Sequence, residues 1–339
     1  MALRVHFSAE DLSRIHMVSS PDPAWEITLS VTQLTSGRAR AVFDPWRAAA
    51  RARLRSLGTP HLRLLRRLAP PVGDFPDFLT PARPASSLAS TVDAVLSTPR
   101  ERLRRDLSVL AGPPGPLRLL ADADRTALAA LGDALHGYHR AAIAPLWPRL
   151  RTLVDADRAR RARALVDEGV EGLLRSFAPT LRWSSPVLEA DYPVDRDLHL
   201  GGRGLLLVPS VFCWRTPVTL IDPELRPVLV YPVPRGPGWW LAPADRGAGA
   251  TDRLACLLGH SRAAALRVIE DGCTTSELAR RIGVTPPTAS QQAAILRETG
   301  LIVSVRSRNT VLHTLTPLGT DLLDANPQTA RSPAVTGRS

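Results

Sequence analysis

No lysine occurs anywhere in the 339 residues, and no aromatic residue follows Trp240. The first absence leaves positive charge to arginine alone, 43 against 32 acids for a net of +11, a balance that favours polyanionic partners. The second divides the chain, because all seven Trp, all three Tyr and all six Phe lie at or before Trp240. Cysteine is scarce. Cys213, Cys256 and Cys273 are too few, and odd in number, for a disulfide framework, which points to a reducing compartment. The strongest apolar run, 205–214, is broken by Pro209 and falls far short of the ~20 residues of a spanning helix. The opening MALRVHFSAEDL lacks a secretory signal pattern, so the expected location is cytoplasmic, with no membrane partner. Phosphate loops, nucleophile elbows and paired metal motifs are missing too. No catalytic residue, metal ligand or cofactor is therefore assigned, and no enzyme is expected.

Apolar residues at 44% and charged residues at 22% are those of an ordinary globular chain, whose length suits two or three domains. The expected fold is mainly α with a small β-rich unit and a carboxy-terminal winged helix-turn-helix. Residues 1–180 read as a mainly helical region of unknown role. Leu128, Leu131 and Leu135 stand at helical spacing in 122–135, and 158–177 carries Leu165, Val166, Val170, Leu173 and Leu174 on one stripe. Prolines in 69–84 and a breaker from Gly112 to Pro116 mark loops. Residues 181–245 read as a β-rich part of the same domain, with runs 187–192, 203–212, 218–221 and 228–233 forming a small antiparallel sheet. The Gly-, Ala- and Pro-rich stretch 243–251 is the expected junction, and 326–339 an expected disordered tail.

Residues 252–325 carry the sharpest pattern. After an apolar helical face ending at Asp271-Gly272, Thr274 to Glu277 reads as a capping box, in which hydroxyl and carboxylate each satisfy the other residue's backbone amide. Leu278, Ala279 and Ile282 face inward, and Gly283 ends that helix. Thr285 can cap the next one, with Pro286 where a missing amide costs nothing. From there Ala289, Ala293 and Leu296 share one face, while Thr288 and Gln291 stand opposite with Ser290 and Gln292 at the edges. Glutamine can bond adenine bidentately and hydroxyls can bond bases or phosphates, so this face suits the major groove. Two alternating runs, 301–305 and 311–315, flank a polar turn of Arg306, Ser307, Arg308 and Asn309, and Thr316-Pro317 opens a last helix. Helix, helix-turn-helix, hairpin and helix is the winged helix-turn-helix order.

This segment closely resembles the ArsR family of bacterial transcription regulators. The resemblance rests on Gly259 to Ala264, Thr275 to Val284, Ala289 to Gln292, Ile295 to Leu301 and Leu315 to Gly319. It implies a homodimer on a double-stranded DNA operator with two-fold symmetry, repressing transcription, with Arg280, Arg281, Thr285, Thr288, Ser290, Gln291, Gln292, Arg306, Arg308 and Asn309 at the DNA. Metal-sensing members carry a Cys pair in or beside the first helix of the motif, or Asp and His ligands on the last helix. Here 276–282 and 317–324 hold neither Cys nor His, so metal-independent binding is implied. The long region before it resembles that of large actinobacterial ArsR-type regulators, and dimerisation or sensing of a small organic effector both suit it.

Several features keep two readings. Residues 252–325 hold eight Arg against seven acids, so DNA contact there depends on placement rather than overall charge. The densest basic block, Arg38 to Arg67, has nine Arg against Asp44 alone and is a solvated helix face or a further DNA contact. Cys256 and Cys273 are packing residues or a thiol sensor. Asp133, His136 and His139 drift around a helix rather than stacking as metal ligands. Trp214, Trp239 and Trp240 are core, or they line an apolar ligand pocket. The alternative to a regulator is an enzyme domain, 1–240, fused to a DNA-binding domain, with His6, His16 and the acids around Asp191 converging in a pocket.

Overall fold

The computed structural model describes residues 1–82, 87–110, 115–236, 238–240, 253–307, 310–324 and 326. The chain is mainly helical with several small sheets and divides into two compact units, Met1–Pro243 and Ala244–Ser339. The expected junction 243–251 and nearly all of the expected tail lie outside the described residues.

In the first unit β1 (Ala2–His6), α1 (Ala9–Leu12) and β2 (Ile15–Met17) precede a helical array: α2 (Pro23–Thr35), α3 (Arg40–Arg53), α4 (Thr59–Leu68), α5 (Leu88–Leu96), α6 (Arg100–Leu107), α7 (Gly115–Ala121), α8 (Arg125–Tyr138) and α9 (Trp147–Arg175). Six strands follow: β3 (Leu181–Ser184), β4 (Val187–Asp191), β5 (Arg196–His199), β6 (Leu205–Ser210), β7 (Val218–Thr219) and β8 (Val228–Pro232). They form two mixed four-stranded sheets, in the orders β3-β4-β1-β5 and β2-β6-β8-β7. This corrects the small antiparallel sheet. β1 runs parallel to β5, and β6 runs parallel to both β2 and β8. A strand recruited from almost two hundred residues away leaves no trace in a local window, so β1 and β2 escape sequence patterning.

The second sheet explains why β6 is apolar at successive positions. Leu205 and Leu207 belong to one core with Leu3, Val5, Leu174 and Phe177, whereas Leu206 and Val208 belong to another with Trp25, Phe43, Trp46 and Phe212. Covered on both faces, the strand reads as a continuous apolar run, as parallel strands do. Two further expectations change. Pro116 lies in α7 rather than in a loop. Leu165 and Val166 do not share a buried stripe with Leu173 and Leu174, because Gly169 (φ 71°, ψ −164°) breaks α9 and resets the helical phase, leaving Val166 83% exposed.

The second unit contains α10 (Arg253–Leu258), α11 (His260–Val268), β9 (Cys273–Thr274), α12 (Thr275–Ile282), α13 (Pro286–Glu298), β10 (Ile302–Ser307), β11 (Thr310–Leu315) and α14 (Pro317–Asp324). Its core gathers Leu254, Leu266, Ile269, Leu278, Ala289, Ala293, Leu296 and Ile302 without an aromatic ring. β9, unforeseen in the sequence, pairs with β11 and makes a three-stranded sheet ordered β10-β11-β9.

Candidate nucleic-acid interface

α12 starts where the capping box places it. The Thr274 hydroxyl accepts the Glu277 N–H at 3.3 Å and the Glu277 carboxylate accepts the Thr274 N–H at 3.0 Å. The Thr274 N–H and hydroxyl, both donating to the carboxylate, and then the charges of Arg281 and Arg280, hold the Glu277 carboxyl below its ordinary range. Leu278 and Ala279 are buried, while Arg280 and Arg281 are exposed in the last turn, where cations complement the helix dipole. Gly283 adopts a left-handed conformation (φ 71°, ψ 34°) that a side chain would strain, and the chain turns into α13. Thr285 occupies the N-cap position, but its hydroxyl bonds the Thr288 hydroxyl at 2.9 Å instead of capping a backbone amide.

Ala289, Ala293 and Leu296 anchor α13 in the core. The opposite side presents Ser290 and Gln291 exposed beside half-buried Thr288 and Gln292. Hydroxyls and amides thus stand on one helix face, with Arg280, Arg281 and Thr285 exposed on the preceding turn and helix.

The hairpin differs from the sequence reading in one respect. Ser307 pairs with Thr310 and Arg306 with Val311, so Arg306 is an exposed strand residue rather than part of the turn. Arg308 and Asn309 lie outside the described residues. Alternation across so short a run cannot mark where pairing stops, since register depends on the partner strand.

Two locking contacts set the positions of these parts. Buried His313 on β11 meets the Thr275 hydroxyl through Nε2 at 2.9 Å and the Ser304 hydroxyl through Nδ1 at 2.8 Å, tying the hairpin to the first turn of α12. Burial, then the Arg297 charge, pushes its pKa down. Sequence reading missed it, although one polar ring in an alternating strand was the available signal. The second lock lies in Leu315 to Gly319. The Thr316 hydroxyl donates to the Gly300 carbonyl at 2.7 Å and accepts the Gly319 N–H at 3.1 Å. A Cβ on Gly319 would stand 2.2 Å from the Leu301 carbonyl oxygen, so only glycine permits this approach.

The tryptophans of the first unit sit in an aromatic cluster. Trp239 is 1% exposed, donates Nε1–H to the Val42 carbonyl at 3.0 Å and meets Phe43, Phe212 and Trp240 edge-on. Half-buried Trp214 lies under the Arg235 guanidinium, 5.1 Å from the ring centre. Beside the cluster is a buried polar node absent from the sequence reading. The fully buried Glu26 carboxylate accepts the Val211 N–H at 2.9 Å, the Phe212 N–H at 3.2 Å and the Ser210 hydroxyl at 3.1 Å. Burial raises Glu26 to about 7 and Cys213 to about 12, and lowers Arg235 to about 10.

Residues 117–237 match the model of a family of unknown function (DUF5937). The match covers less than half of the chain and lies wholly in the first unit. No curated protein and no solved structure matches the chain.

Of the residues offered for catalysis, His6 meets one acid near Asp191, whereas His16 and Asp191 itself lie on other partners. His6 stacks on His199 and pairs with Asp197 at 2.7 Å, His16 bonds the Arg14 carbonyl, and Asp191 pairs with Arg182. A cleft of about 390 Å³ is instead lined by Asp77, Asp106, Asp222 and Arg105, and a second, of about 580 Å³, by Arg51, Arg55, Arg63 and Arg66. Neither includes a tryptophan. His136 bonds the Gly132 carbonyl and His139 packs on Trp147, and among the described residues no group of three His, Cys, Asp or Glu could hold a metal ion. Cys273 is buried and Cys256 exposed.

Proposed function

We propose that the protein is a sequence-specific DNA-binding transcription regulator of the ArsR type, a metal-independent repressor acting as a homodimer on an operator. The observation that carries this reading is the exposed polar face of α13, Ser290 and Gln291 with Thr288, presented by a capped helix and a glycine turn and followed by a hairpin. In this reading 252–325 is a winged helix-turn-helix with α13 as the recognition helix in the major groove and the hairpin as the wing. Arg280, Arg281 and Arg306 supply phosphate contacts from the elements flanking it, which suits a segment whose overall charge is nearly balanced.

The first unit is the regulatory input, and a small organic effector is its ligand. An effector that weakens operator binding tenfold has to bind the free form about 1.4 kcal/mol better than the DNA-bound form. The test is selection of random duplexes by the full chain, followed by footprinting. The expected site has two half-sites about one helical turn apart, roughly 10 base pairs centre to centre. Recovery of no sequence above the starting pool overturns the reading.

A further inference from the structure

The arginine block singled out in the sequence folds around a cleft that the proposed function does not use. α3 runs through a 3₁₀ turn, Leu54–Ser56, before α4 begins at Thr59. At that elbow Arg51, Arg55, Arg63 and Arg66 line a cleft of about 580 Å³ whose apolar lining comes from Leu54, Leu57 and Leu62. All four arginines are exposed.

Arg51 and Arg55 stand four residues apart, and Arg63 and Arg66 three, so each pair brings like charges together along a helical path. Among the described residues no carboxylate pairs with them. No acid occurs between Asp44 and Asp74, and Asp44 is held by Arg47 at 2.7 Å. Among the described residues none of the four forms an ion pair, and Arg51 alone has a bond, to the Leu34 carbonyl at 3.1 Å. Arg47 shows the contrast: buried on the same helix, it spends its guanidinium on Gln33 O, Arg38 O and Asp44. The α4 N-terminus adds to the positive field. Gly58 offers no side-chain cap there, and Thr59 lines the cleft.

We infer that this cleft binds a small organic anion, its phosphate or polyphosphate on the guanidinium groups and an apolar moiety on the half-buried Leu57 and Leu62. Guanidinium forks bond phosphate oxygens in pairs. The volume lies within the ~300–1,000 Å³ of small-molecule sites. A duplex backbone is the other polyanion to weigh. It carries no apolar group to cover Leu57 and Leu62, and the concave elbow favours the compact ligand.

The probe is trinitrophenyl-ATP, whose fluorescence reports binding to the full chain without operator DNA, so this test fails separately from the proposed function. One saturable site is expected, displaced by ATP and less well by inorganic triphosphate, which leaves the leucines bare. Arg55→Gln with Arg63→Gln should weaken probe binding at least tenfold. Arg53→Gln with Arg151→Gln removes equal charge outside the cleft and should leave binding within twofold, and circular dichroism should match the parent for both. Absence of saturable binding, equal weakening by the two double variants, or triphosphate competing as well as ATP overturns the assignment. Random duplex DNA displacing the probe better than ATP at equal phosphate concentration also overturns it and makes the cleft a nucleic-acid contact.

Discussion

Replacing Glu26 by glutamine should flatten the pH dependence of the first unit's stability. The carboxylate reaches from α2 to the end of β6, where two backbone amides and the Ser210 hydroxyl bond it out of reach of bulk solvent. Burial outweighs those bonds and the nearby Arg235, raising the group from 4.5 to about 7. Between those values the folded chain keeps a proton that the unfolded chain has released, so stability falls as pH rises. The contribution is fully present below pH 4.5 and is lost as pH climbs through about 7. At ~1.36 kcal/mol per pH unit, that displacement corresponds to about 3 kcal/mol. Glutamine does not titrate and keeps one acceptor oxygen, so a partner amide or hydroxyl is left unpaired at a pH-independent cost of about 1–3 kcal/mol.

Glu26→Gln should therefore be less stable than the parent at pH 5, and the difference should shift by about 3 kcal/mol in the variant's favour by pH 8. Urea unfolding followed by tryptophan fluorescence reads this unit selectively, because every Trp lies at or before Trp240. Asp22, raised to about 6 by burial, titrates alike in both proteins and cancels in the difference. A stability difference that stays constant from pH 5 to pH 8 refutes the reasoning, since Glu26 would then ionise as readily folded as unfolded.

Gln291→Ala should cost about 1–3 kcal/mol on the selected operator and far less on random DNA, measured by titration of labelled duplexes; equal losses would remove α13 from the major groove. Arg306→Ala should weaken binding to all sequences alike and lower the salt slope by about one, whereas an unchanged slope and affinity would place the strand residue away from phosphate. Operator affinity should not respond to zinc, arsenite or chelators, and a stoichiometric metal effect would direct attention to Cys256, Cys273 and the His136 region. Gly319→Ala should abolish cooperative unfolding of the second unit or cost more than about 3 kcal/mol, because the added Cβ meets a backbone oxygen rather than a side chain that can move. Hydrogen exchange of 253–324 would report it, and protection equal to the parent's would show that α14 can shift freely.

Much of 252–325 was legible because its signals are local. The capping box at Thr274, the turn at Gly283 and the spacing of Ala289, Ala293 and Leu296 each act within one helical turn, where chain chemistry settles conformation without distant help. Even there, Arg306 moved from turn to strand and β9 appeared, since pairing belongs to two segments at once. In the first unit the same limit is wider. The Leu165 and Val166 stripe failed because one glycine dihedral changed the phase of α9, and that dihedral is not written in apolar spacing.

What the sequence determined by itself was the balance of charge, the aromatic-free carboxy-terminal segment, the helical character of most of the chain and the polar face of α13. Composition and short-range periodicity suffice for these. Only tertiary structure decided that β1 and β2 complete two mixed sheets, that Trp239 is core, that Glu26 is sealed beneath β6, and that Arg51, Arg55, Arg63 and Arg66 share one cleft. Each of these depends on segments brought together by burial of apolar surface, a non-directional force that rewards the total area removed from water. Which distant residues become neighbours is therefore a property of the packed whole.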